Sequence, residues 1–155
     1  MTKEEFASAV TKSEKKLYIA ALSVVRNTED ARDAVAAAVA RAWEKLNTLK
    51  DEEKFDGWIL KITYNEAKKQ RRHADEYVSL DEIGDAFVYD ADHGSIEFFD
   101  IISSARLDSK SGRIIMLKFF YGYTLDEISG IMDMPLSNVT TKYYRALEKI
   151  KKTLK

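Results

Sequence analysis

The chain has 155 residues, room for one ordinary domain or two small ones, and 45% of them are hydrophobic, so a packed core can form. It contains no cysteine, which excludes disulfides and cysteine-based metal sites or nucleophiles. The net charge of −1 argues at first against a nucleic-acid partner.

The charge is strongly segregated, however. Between Lys61 and Arg72 lie Lys61, Lys68, Lys69, Arg71 and Arg72 against Glu66 alone. Between Asp75 and Asp108 the order reverses, with Asp75, Glu76, Asp81, Glu82, Asp85, Asp90, Asp92, Glu97, Asp100 and Asp108 against Arg106. From Ser137 onward Lys142, Arg145, Lys149, Lys151, Lys152 and Lys155 face only Glu148. Two basic surfaces flank an acidic middle, and the near-zero total conceals them. One proline and six glycines, among many Ala, Leu, Lys and Glu, favour helices. The expected class is all-α: two small helical domains joined by an acidic linker. No apolar run approaches the ~20 residues of a membrane span, and Met1-Thr2-Lys3-Glu4-Glu5 lacks the pattern of a signal peptide. A soluble cytoplasmic protein with no membrane partner is expected.

A first helix is predicted over Lys3–Val25, from the recurrence of Phe6, Val10, Leu17, Ala21 and Val24. Asn27 and Thr28 break it, and Thr28 is the expected cap of the next helix, with Glu29 and Asp30 in its first turn. That second helix, Glu29–Leu46, carries the clearest apolar stripe: Ala31, Ala34, Val35, Ala38, Val39, Ala42, Trp43 and Leu46. Its other face, Asp33, Ala37, Ala40 and Glu44, is unusually smooth. Small side chains there let another helix approach closely; alanine is also simply the best helix former. A loop, Asn47–Lys54, leads to a third helix over Phe55–His73 with Phe55, Trp58, Ile59 and Ile62 inward. Lys61, Asn65, Lys68 and Arg72 share one side of it, either a binding stripe or a solvated face.

Asp75–Gly94 has no sustained period and reads as an acidic linker with scattered aromatics. Helical patterning returns with Ser95–Arg106 and Lys110–Tyr121, the latter closed by Gly122. Thr124-Leu125-Asp126-Glu127 is a capping box opening a short helix, Leu125–Met132. Asp133-Met134-Pro135-Leu136 makes a turn, and Ser137 is the expected cap of a last helix reaching Lys152. The domains are therefore expected at 1–73 and 95–155, with the linker at 74–94.

Two helices joined by a tight turn, the second basic, describe a helix-turn-helix. Val139, Tyr143, Ala146, Leu147 and Ile150 share the face expected to pack on Leu125, Ile128 and Ile131. Asn138, Thr141, Lys142 and Arg145 lie on the other face, near the helix N-terminus. These types suit a major groove: Asn pairs with adenine, Lys and Arg with guanine or phosphate, and the Thr methyl with thymine. Without the charge segregation and the caps, a helical hairpin with a wet basic face would explain the spacing equally well.

Tyr121-Gly122-Tyr123-Thr124-Leu125-Asp126-Glu127-Ile128-Ser129, followed by Val139-Thr140-Thr141-Lys142-Tyr143-Tyr144-Arg145-Ala146-Leu147, resembles the C-terminal region of bacterial RNA polymerase sigma factors of the extracytoplasmic-function type. Leu107 and Arg113 resemble the leucine and arginine preceding it. The N-terminal half matches separately: Glu29-Asp30-Ala31-Arg32-Asp33-Ala34-Val35, Ala42-Trp43, Phe55, Trp58-Ile59, Ile62, Asn65 and Arg71-Arg72 are similar to that family's core-binding and promoter-melting region. Ala36 stands where the family usually has glutamine, and Asp108 where it has proline.

The resemblance implies core RNA polymerase and promoter DNA as partners, sometimes joined by an anti-sigma factor. It implies polymerase binding by Asp33, Ala37, Ala40 and Glu44. Lys61, Asn65, Lys68, Arg71 and Arg72, with the Asn47–Lys54 loop, would meet the minus-ten element, and Asn138, Thr141, Lys142 and Arg145 the minus-thirty-five element. The acidic linker would then mimic nucleic acid in the polymerase channel, or serve only as a soluble spacer. The alternatives are a helix-turn-helix regulator that does not recruit polymerase and a protein-binding helical scaffold. His73 and His93 are the only histidines and neither sits in a metal-ligand or catalytic spacing, so no enzyme, cofactor or metal is expected.

Overall fold

The computed structural model of the protein describes residues 1–25, 27–70, 102 and 104–154. These residues are helical and contain no β-strand, and the chain divides into two compact units, 1–72 and 73–155.

The first unit packs three helices against one another, α1 (Lys3–Val25), α2 (Thr28–Glu44) and α3 (Phe55–Gln70). Thr2 and Glu5 open α1 reciprocally: the Glu5 amide donates to Thr2 Oγ1 and the Thr2 amide to Glu5 Oε1, both at 3.1 Å. The Thr-x-x-Glu spacing is the same capping signature as at Thr124. Asn27, not Thr28, caps α2: its Oδ1 accepts from the Asp30 amide at 2.8 Å, and Thr28 is already the first helical residue. Asn27 Nδ2 also donates to Asp30 Oδ2 at 2.9 Å, so the side chain is both acceptor and donor at this helix start.

The buried side of α2 is made of Ala31, Ala34, Ala38 and Ala42, all 0% exposed. Methyl side chains let α1 and α3 come close, and the large groups are supplied by those helices: Leu17, Ile19 and Leu22 from α1, and Ile59, Leu60 and Tyr64 from α3. The rest of the predicted stripe is shallower. Val35, Val39 and Leu46 are half-buried, and Trp43 is 47% exposed, its ring leaning on Phe6 at 5.2 Å. Leu46 lies outside α2, in a 3-10 turn over Leu46–Thr48. In α3, Phe55 and Ile59 are buried as expected, while Trp58 and Ile62 are only half-buried. Thr63, Glu66 and Ala67 go inside as well, because α3 touches two helices and its buried face is wider than one stripe.

The second unit contains α4 (Ser109–Phe119), α5 (Leu125–Met132) and α6 (Leu136–Thr153). Arg106 has φ 50°, and Asp108 caps α4, accepting from the Ser111 amide at 2.8 Å. Ile114, Ile115 and Leu117 make α4 the buried spine on which α5 and α6 pack. Gly122 has φ 75° after the end of α4, and the Tyr123 amide returns to the Leu117 carbonyl at 3.0 Å. The expected linker (74–94), Arg71, Arg72, His73 and most of the expected helix over 95–106 lie outside the described residues.

Candidate functional site

The helix-turn-helix is built as the spacing requires. Thr124 and Glu127 form the capping box of α5, the amides donating at 3.1 and 3.0 Å. Asp133, at φ 56°, ends the helix, and the Met134 amide returns to the Ser129 carbonyl at 3.1 Å. Ser129 Oγ donates to the Met134 carbonyl at 2.6 Å, tying the turn to the helix before it. Pro135 is the N-cap of α6, with φ −57° and an extended ψ of 141°, and its carbonyl accepts from Asn138 and Val139. Ser137 therefore lies inside the helix, and no side chain caps it. The reason is that Pro135 itself occupies the N-cap position, two residues before the expected cap.

Val139, Tyr143 and Ala146 of α6 are buried, Leu147 and Ile150 half-buried, and they pack with Ile128 and Ile131 of α5. Asn138, Thr141 and Arg145 are exposed on the other side, at successive turns. Lys142 departs from this set. It is half-buried, and its charge, with that of Lys149, acts on Asp108 at the start of α4. Burial of Asp108 opposes its ionisation. Hydrogen bonds from Ser111 and the two lysines outweigh that, holding the carboxyl below its ordinary value. Lys142 thus lies at the edge of the packed side rather than wholly opposite it, next to the buried Tyr143. Tyr144, missed in the sequence, is 58% exposed beside Arg145, with its ring edge-on to Tyr143 at 5.2 Å. An aromatic residue off the apolar stripe was the available signal.

On α2, Asp33, Ala40 and Glu44 are exposed and Ala37 is half-buried, so the smooth face is a real outer surface. On α3, Asn65 and Lys68 are exposed and Lys61 is half-buried. The expected Asn47–Lys54 loop is not wholly irregular: Asp51 caps a second 3-10 turn, Glu52–Lys54, accepting from the Glu53 amide at 3.0 Å. Glu66, the lone acid of the basic run, links α2 and α3: its carboxylate is buried and lies 2.6 Å from Arg41 Nε and 3.2 Å from Lys69 Nζ. An acid interrupting a basic run was its sequence signal. Among the described residues no group of three or more His, Cys, Asp or Glu could hold a metal, and no helix is long and apolar enough to cross a membrane.

Comparison with known proteins accounts for both units. Residues 9–76 match the family model of sigma-70 region 2, and residues 105–150 that of sigma-70 region 4. The chain is 26% identical over 148 residues to the RNA polymerase sigma factor SigV of Bacillus subtilis, spanning 95% of this chain and 89% of that one. It is 24% identical over 168 residues to the ECF RNA polymerase sigma factor SigW of the same organism, spanning 98% and 90%. To the RNA polymerase sigma-H factor of Pseudomonas aeruginosa it is 24% identical over 171 residues, spanning 98% and 87%. The region 2 match sets aside a helix-turn-helix regulator without polymerase recruitment, which would leave residues 9–76 unexplained. The chain belongs to the sigma-70 family as a sigma factor of the extracytoplasmic-function type, which binds core RNA polymerase and directs promoter recognition and transcription initiation.

Proposed function

We propose that the two units divide the work of promoter recognition between three faces, over domains 1–73 and 95–155 joined by a spacer at 74–94. The Asp33, Ala37, Ala40 and Glu44 face of α2 docks on core polymerase. Lys61, Asn65 and Lys68 on α3, continued by Arg71 and Arg72, hold the separated strand of the minus-ten element. Asn138, Thr141 and Arg145 on α6 read the minus-thirty-five element in the major groove, with Lys142 and Lys149 as phosphate contacts. The observation that carries this reading is the exposure of Asn138, Thr141 and Arg145 on successive turns at the start of a helix whose other side is packed.

The chemistry separates the two DNA contacts of the first unit. Lys61 and Lys68 suit the phosphate backbone of a single strand. The loop before α3 carries Asp51, Glu52 and Glu53 with Lys50 and Lys54, so its acids would repel phosphate and accept instead from base edges such as the cytosine amino group. Neither unit need bind tightly by itself, since tethering both to polymerase raises their effective concentration at the promoter. In this role the chain performs no catalysis and needs no metal or cofactor, works in the cytoplasm with polymerase, and offers the α2 face as the surface an anti-sigma partner would cover.

The test is co-purification with core polymerase. Asp33→Arg combined with Ala40→Glu, both at exposed positions, should abolish co-purification and leave the helical circular dichroism unchanged. Retention of core binding by this folded variant would place the docking face elsewhere.

A further inference from the structure

We propose that Glu66 is a positioning residue for strand capture: through Arg41 it sets the axial register of α3 on α2, so that the polymerase-docked helix carries Asn65 and Lys68 in a fixed place. The proposal rests on the faces assigned above to α2 and α3. Glu66 lies on the inward side of α3 with its side chain 9% exposed, 2.6 Å from Arg41 Nε and 3.2 Å from Lys69 Nζ. A buried carboxylate is costly unless it is paired, and an apolar side chain of similar volume would hold two helices together at least as well. Cohesion alone therefore does not account for an acid here.

Register does. The surface that α2 turns inward consists of Ala31, Ala34, Ala38 and Ala42. Methyl groups make shallow ridges and permit close approach, but they resist sliding along the helix axis weakly. A short charge-assisted hydrogen bond has direction and a preferred length, so it stops the slide at one point. That point joins the two working surfaces. Arg41 follows Ala40 and precedes Glu44 by three residues; Glu66 follows Asn65 and precedes Lys68 by two. The same carboxylate holds Lys69, keeping its ammonium group close to the base of the α3 stripe.

The experiment uses the full chain reconstituted with core polymerase and a promoter carrying a fluorescent base analogue in the minus-ten element. Glu66→Gln, Arg41→Met and their double variant should each bind core within about twofold of the parent. At saturating holoenzyme they should lower the open-complex signal by about tenfold, as expected for coupled neighbours. The double variant should be no worse than either single change, and Arg41→Lys should recover most of the signal. Should Glu66→Gln fail to fold, Arg41→Met carries the test alone, since the Arg41 side chain is 43% exposed. An unchanged open-complex signal in a folded variant, losses that multiply in the double variant, or a collapse of core affinity would each overturn the proposal. Asn65→Ala, run alongside, separates the causes. If it too leaves the signal intact, the strand-holding assignment of α3 is wrong; if it alone lowers the signal, only the positioning role fails.

Discussion

Arg145→Ala gives the sharpest test of the recognition face. The side chain is exposed on α6, one residue before the fully packed Ala146, so its removal should alter fold stability by no more than about 0.5 kcal/mol. Any larger effect belongs to DNA. A bidentate contact to guanine contributes about 1–3 kcal/mol of discrimination, which is roughly 5- to 160-fold in affinity. A contact to phosphate would act differently, lowering the slope of log affinity against log salt by about 0.9 with little change in sequence preference. The assay is fluorescence anisotropy of labelled promoter fragments titrated with reconstituted holoenzyme at several salt concentrations. Arg145→Lys keeps the charge and loses the planar fork, so it should restore the salt slope but not the discrimination. Wild-type affinity for Arg145→Ala at every salt concentration would refute the assignment of this face.

Three further outcomes follow from packing, backbone and charge. Ile128→Ala removes a side chain with no exposure between α5 and α6, and should cost about 2–5 kcal/mol; thermal melting followed by circular dichroism should show the unit containing it unfolding on the order of ten degrees or more lower. Gly122→Ala meets no atom within 4 Å but must hold φ 75°, so it should cost about 1–2 kcal/mol of backbone strain in urea unfolding, and Gly122→Asn less. Asp108 has a lowered folded-state pKa, so its stabilising effect is present above the ordinary aspartate value of about 4 and is lost as pH falls through the depressed one. Asp108→Asn keeps a capping side chain and removes the charge, and it should flatten the acid limb of stability measured between about pH 5 and pH 2.

Much of the fold was legible because the governing forces are local. The limits of α1 and α5 and the box at Thr124 follow from apolar period and from side chains that satisfy their own helix ends. The misplaced caps show where such reading stops. Asn27 and Thr28 are both good caps; Asn27 takes the role, bonding both the amide and the carboxylate of Asp30, and Thr28 is already helical. Ser137 lost its expected place because Pro135 had already started the helix. The exposed side of α6 was legible in Asn138, Thr141 and Arg145, whose spacing opposes the packed stripe, while the partial burial of Lys142 was not.

By itself, the sequence determined the helical class, the two basic surfaces on either side of an acidic stretch, and the helix-turn-helix, since periodicity, caps and charge are properties of neighbouring residues. Only the tertiary structure decided that the alanines of the α2 stripe go deepest, that Val35, Val39 and Trp43 of the same stripe stay shallower, and that Glu66 meets Arg41. Those outcomes depend on which helices meet and how closely, and a contact between residues 41 and 66 has no local period to announce it.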